Sequence, residues 1–325
     1  MVHLRIVVAP RKTQRALKLL ELNDAVCNIV LLEGVARRPE GDVILCDVAR
    51  EEASVVISDL RELEVDVDGA ISLASIEVQL SARSRQAEEA APGAPSDAVV
   101  WEEVEERTSE SARLSGSFLA FMVLAALIAA VGIFLDSPIL VVGAMVVGPE
   151  FGPIAGFCVA IVRPPRSLAL RSFVALAVGF PLAIGAVAIA TLIFKATGLT
   201  PEEFGSDDHS LSNVIASPDF FAFFVAMCAG AAGMLSLSTA KSGALIGVLI
   251  SVTTIPAAAN VGIAAAYGDW PAFRGSLAQL AVNLAGILLA GTATLAGQRA
   301  VYERRRRRHL RALEADAARA RQPAA

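Results

Sequence analysis

The chain has 325 residues, is 55% hydrophobic and carries a formal net charge of −5. Its mean hydropathy of +0.58 excludes an ordinary soluble protein, whose apolar share is lower. The charge is partitioned: acidic residues gather before the first apolar segment and in one later loop, and arginines gather in the tail. Net charge therefore says little about partners, and no nucleic-acid role is expected.

In chain order, residues 3–9 read as a strand and 10–23 as a helix opened by Pro10. Strands follow at about 26–36 and 42–48 around a turn at Pro39 and Gly41, then an amphipathic helix over 50–63 and a strand over about 70–80. The order βαββαβ predicts a ferredoxin-like, split α+β domain over 1–82. That fold hosts many functions, among them regulation and assembly, and names no ligand. Residues 1–9 are too short for a signal peptide and lead into a polar helix, so this domain is expected to stay in the cytoplasm. Residues 83–97 read as linker and 98–113 as an acidic juxtamembrane helix with Trp101 and Val104 on one side, expected to act as a solvated connector.

Of the four cysteines, Cys27 and Cys46 fall in predicted strands and could be neighbours, while Cys158 and Cys228 fall in apolar segments. They are expected to be reduced core thiols. The three histidines are scattered, and neither a metal site nor a cofactor is expected.

Residues 114–299 contain six apolar segments, at about 115–135, 138–162, 170–195, 219–237, 241–266 and 274–298. Each approaches the roughly 20 residues that a spanning helix needs. Arg163 and Arg166 lie between the second and third, and Arg304 to Arg308 follow the sixth. Acidic residues (Glu202, Glu203, Asp207, Asp208) fill the loop after the third. Arginine-rich loops stay inside, so both termini are expected in the cytoplasm of a cell whose inner membrane holds the chain. The tail, 300–325, is expected to aid retention and to contact anionic lipid.

Two of these segments are interrupted. Residues 143–154 read Gly-Ala-Met-Val-Val-Gly-Pro-Glu-Phe-Gly-Pro-Ile, with Pro149, Glu150 and Pro153; residues 251–256 read Ser-Val-Thr-Thr-Ile-Pro. Lipid offers no hydrogen-bond partner, so a broken helix at that depth must be buried in protein or line a cavity. A carboxylate there is a functional candidate. Residues 118–123 resemble 220–225, Pro153 matches Pro256, and Arg171 matches Arg274, at spacings of 102 or 103 residues. Three spans per copy invert the second copy in the membrane. Inverted repeats of this kind place solute and ion sites where their broken helices meet. The competing reading is that proline and glycine only kink helices for close packing.

The pattern of 143–156, with 229–236 and 243–262, resembles the domain-of-unknown-function family 389, also called the uncharacterised hydrophobic domain family. The resemblance covers about 115–298, and the N-terminal module is similar to that of the family's longer members. It implies an architecture and no activity. Glu150 stands where the family usually has a small or apolar residue.

The candidate solute- or ion-binding residues are Pro149, Glu150, Pro153, Ser251, Thr253, Thr254, Pro256 and Asn260, with Gln279 and Asn283 nearby in the sixth segment. No HExxH, GxSxG or phosphate-binding loop occurs, and no enzyme is expected. Two functions follow: a secondary transporter or channel-like permease for a small solute or ion, or a non-transporting sensor or scaffold acting through its cytoplasmic domain. A homo-oligomer is expected in either case. A permease needs a cavity reaching the second and fifth segments; a scaffold is close-packed there.

Overall fold

A computed structural model describes all residues except 77, 92, 94–97, 164–165, 201–203, 205–209, 240–252 and 322–325. The described chain falls into two compact units. One is drawn chiefly from Met1–Val104 and from Arg304 onward, the other from Glu105–Leu237 and the stretch ending at Glu303.

The first unit runs β1 (Val2–Val8), α1 (Pro10–Glu21), β2 (Val26–Arg37), β3 (Glu40–Val48), α2 (Arg50–Glu62), α3 (Val65–Asp68) and β4 (Ala70–Ser75). The strands form one antiparallel sheet in the order β2-β3-β1-β4. Alternation sets its inner face: Val2, Leu4, Ile6 and Val8 of β1 are buried with Leu20 of α1 and Val56 and Leu60 of α2. The short α3 was not expected. Strand β4 stops at Ser75, which pairs with Val2, the first residue of β1; past it the Ile76 amide still donates to the Met1 carbonyl at 3.4 Å. Val78 and Leu80, expected in that strand, are exposed.

Cys27 lies opposite Asp47 across the β2–β3 pair, so it and Cys46 point to opposite faces of the sheet. All four cysteines are free. Burial pushes the Cys46 thiol up to about 12.

The residues read as linker are largely ordered. Ser81 caps α4 (Ala82–Ala90) by accepting from the Ser84 amide. Helix α5 (Trp101–Ser111) corrects the solvated connector: Trp101 and Val104 are each 1% exposed. The Trp101 amide donates to Ser54 Oγ at 3.0 Å, and Arg50 pairs with Glu103 at 2.8 Å. The apolar stripe of α5 finds its core on α2 instead of in lipid or water.

In the second unit, α6 (Gly116–Phe134), α7 (Pro138–Val147), α8 (Phe151–Val162), α9 (Arg166–Ala196), α10 (Ser210–Ala216), α11 (Phe220–Ser238), α12 (Thr254–Tyr267) and the start of α13 (Trp270–Arg321) follow. Among the described residues, four helices are long and apolar enough to cross a membrane: α6, Ser167–Ala196 of α9, α11 and Trp270–Arg307 of α13. Helices α7 and α8 pass the same test only as a pair bent by 52° at its break, either one broken span or a re-entrant pair. Residues 240–252, which begin the expected fifth span, lie outside the described residues, as does Lys241. The sixth span and the tail, expected to be separate, are one helix of 52 residues.

The core of this unit is alanine-rich, with Met122, Ala125, Ala126 and Ala129 of α6 packed near Ala257, Ala258 and Ile263 of α12 and Ala183 of α9. Small side chains let backbones approach closely. At Gly230 of α11 an added Cβ would stand 2.6 Å from the Ile287 carbonyl oxygen of α13.

In the first unit the Thr13 hydroxyl (2.5 Å) and the Gly34 amide (2.8 Å) hold Asp42 below the usual carboxylate range. A lowered folded-state pKa contributes stability above the ordinary carboxylate value and loses it as pH falls through the lowered one. Asp42→Asn should therefore flatten the acid limb of stability below the ordinary carboxylate pKa, read by thermal unfolding of the full chain against pH; an unchanged slope would contradict the assignment.

Candidate functional site

Proline marks the break between α7 and α8 and the first turn of α12. Pro149 has no N–H to continue α7, and the chain turns through Gly148, Pro149 and Glu150 before α8 starts. Pro153 and Pro256 are each the third residue of their helix, α8 and α12. There the missing N–H costs nothing, since first-turn amides have no intrahelical acceptor. Both prolines are buried and Pro149 is half-buried.

The two helix starts meet. Thr254, the first residue of α12, donates from Oγ1 to Glu150 Oε1 at 2.7 Å. Glu150 occupies the N-cap position of α8 and is 3% exposed; Thr254 is fully buried. Glu150 Oε2 has no hydrogen-bond partner among the described residues. Helix N-termini carry unsatisfied amides and partial positive charge, which suits a carboxylate placed between two of them. Gly148 leaves the room: a Cβ there would stand 2.3 Å from Glu150 Oε2 and 2.7 Å from Ile255 Cγ1.

Beside this pair, Thr253 caps α12 in position but is held from α13. Asn283 Nδ2 donates to its Oγ1 at 2.7 Å and to its carbonyl at 3.2 Å. Gln279 Nε2 donates to Asn283 Oδ1 at 3.1 Å, while the buried Gln279 Oε1 has no partner among the described residues. Asn260 belongs to another cluster: it accepts from the Ser212 hydroxyl and donates to Ser276 Oγ and the Ser212 carbonyl. It is fully buried and its amide is satisfied, as a residue that joins three helices should be. Ser251 lies outside the described residues.

Two cavities approach the pair. One, of about 370 Å³, reaches Gly148 and Pro149 from a mouth at Arg113, Ser115 and Leu237. The other, of about 450 Å³, reaches Thr253 and Gln279 from Ser217, Asp219 and Phe221. Leu237 is at the end of α11 and Phe221 at its start. A 19-residue helix is about 28 Å long, close to the hydrocarbon thickness, so the mouths lie near opposite ends of a spanning helix. Glu150, Thr254 and Ile255 stand packed between them.

Sequence reasoning found Glu150 and the hydroxyls but missed Gly148, Ser212 and Ser276. The signal for Ser276 was available: Ser172 precedes it by 104 residues, and an added Cβ at Gly156, 104 residues before Asn260, would stand 2.7 Å from Ser172 Oγ.

Fold and site together define a largely helical protein with membrane-length apolar helices and an N-terminal unit built on a four-stranded antiparallel sheet. Residues 145–289 match the model of the domain of unknown function DUF389, which bears out the resemblance read from 143–156. The chain is also similar to an uncharacterised protein, MJ0678, of Methanocaldococcus jannaschii: 26% identical over 198 residues, 59% of this chain. It spans 57% of that relative's length. No solved structure matches.

If the Thr254 hydroxyl holds Glu150, Thr254→Val should destabilise the protein by ~1–3 kcal/mol, because both carboxylate oxygens are then buried without a partner. Thr254→Ser should stay close to wild type. Thermal unfolding in detergent reads both; a Thr254→Val protein as stable as wild type would contradict the geometry.

Proposed function

We propose that the chain is a secondary transporter or channel-like permease for a small solute or cation, with Glu150 as its gate and coupling group. The observation that carries this is a buried, half-satisfied carboxylate where the starts of α8 and α12 meet, with a cavity approaching from each side. An intramembrane carboxylate is expensive and is retained where ions or protons pass. The packed layer of Glu150, Thr254 and Ile255 is then an occluded state, and transport opens one cavity at a time toward it.

Correspondences between the two halves support reading them as an inverted repeat, and with it this function. Helices α6 and α11 have equal lengths of 19 residues. Their caps, Ser115 and Asp219, are 104 residues apart, and each accepts from the amide three residues on. The starts of α8 and α12, 103 residues apart, both carry proline third. With the expected fifth span beginning in 240–252, six spans result and both termini are cytoplasmic, in the cell membrane.

The element order and antiparallel β2-β3-β1-β4 sheet support a ferredoxin-like regulatory or assembly domain, used in a homo-oligomer. In that domain's unit, Arg306 pairs with Glu62, and Arg305 donates to the Glu51 carbonyl at 3.0 Å. The arginine run thus has partners of its own besides anionic lipid.

One observation favours the scaffold reading: the junction itself is close-packed, with no space for a methyl group at Gly148. Flux separates the two. In proteoliposomes screened with monovalent cations, protons and small organic anions, wild type should move at least one solute and Glu150→Gln should lose coupled uptake while remaining folded. Unchanged uptake in Glu150→Gln would remove this residue from the mechanism, and no uptake of any solute would favour the scaffold.

A further inference from the structure

A second site lies away from the breaks. A groove of about 870 Å³ runs between the end of α5 and the start of α9, lined by Glu106, Glu110, Arg113, Leu114, Leu170 and Arg171, with Ser109 and Val174 completing it. On α5 and just past it, 106, 109, 110, 113 and 114 follow the spacing of one helical face; on α9, 170, 171 and 174 do the same. Two stripes therefore face one another across the groove.

The charges are balanced and unused. Two arginines and two glutamates line it, and none of the four forms an ion pair among the described residues. Their neighbours do: Arg163 pairs with Glu105 at 2.9 Å. Beside the charges, Leu114, Leu170 and Val174 are exposed apolar side chains. The spanning stretches of α6 and α9 begin at Gly116 and Ser167, within a turn or so of the groove. It therefore sits where a membrane helix passes from headgroups into hydrocarbon.

We propose that this groove binds a zwitterionic phospholipid with a primary-amine headgroup. Arg113 and Arg171 receive the phosphate, for which guanidinium is suited by its planar, paired donors. Glu106, Glu110 and the Ser109 hydroxyl accept from the ammonium group, and the leucines and Val174 take the first methylenes of the acyl chains. An anionic headgroup would leave two carboxylates facing a like charge; a quaternary amine would give them no N–H donor. The composition of the groove selects between lipid classes by this difference.

Native mass spectrometry of the full-length protein, exchanged against mixed vesicles of phosphatidylethanolamine, phosphatidylcholine and phosphatidylglycerol with matched chains, tests this. Phosphatidylethanolamine should be retained preferentially. Arg113→Ala with Arg171→Ala should weaken its retention on the order of tenfold, as loss of charge-assisted hydrogen bonds predicts. Glu106→Gln with Glu110→Gln should abolish the preference over phosphatidylcholine while leaving total lipid bound. Thermal unfolding checks that each variant is folded. Excess glycerophosphoethanolamine, which lacks acyl chains, should not displace the lipid. Preference for phosphatidylglycerol, equal retention of all three, or displacement by the free headgroup would each overturn the proposal.

Discussion

The membrane unit is organised around one constraint: backbone broken inside a bilayer must find its partners in protein. Two helices, α8 and α12, begin at buried residues in the interior of this unit. The chain resolves both at once by placing them together, with the Thr254 hydroxyl on the Glu150 carboxylate. Glu150 caps the start of α8 in position and meets α12 in contact. A carboxylate that would be costly alone in hydrocarbon is set between two positive helix ends, and Gly148 is needed to make the space.

Other features follow from that junction. Thr253 is drawn to Asn283 of α13, so the start of α12 is tied to α13 as well as to the start of α8. The cavities end here because the layer is packed, and their mouths diverge because α11 is long enough to separate them. The alanine-rich core brings α6, α9 and α12 close enough for short side chains such as threonine and serine to bridge between helices.

Much of this was legible in the sequence. Proline position marked the break between α7 and α8 and the start of α12, because the missing N–H acts locally and needs no tertiary context. The spans α6, α9 and α11 were found within a few residues, since length and hydropathy decide them. What was not legible depended on packing. The side chain of α5 buried on α2 reads, in sequence, like a charged connector: only two of its apolar residues, Trp101 and Val104, decide the matter, and only once α2 is in place. Composition also hid α4, whose alanine and glutamate content suits helix and linker alike. Asn260 looked like part of the solute site because it lies near Pro256, but four residues on from that proline it faces Ser212 and Ser276 instead. Val78 and Leu80 looked like strand but lie past the end of β4 and are exposed.

The central claim is that the Glu150 junction separates two cavities open to opposite sides of the membrane. Sided labelling tests it most directly. Single cysteines are introduced by Ser117→Cys in one cavity and Ser217→Cys in the other, in a chain whose four native cysteines are replaced. Each is then exposed to an impermeant maleimide in intact cells and in inverted vesicles. The account predicts that Ser217→Cys labels only in intact cells and Ser117→Cys only in inverted vesicles; labelling of both from the same side would contradict it.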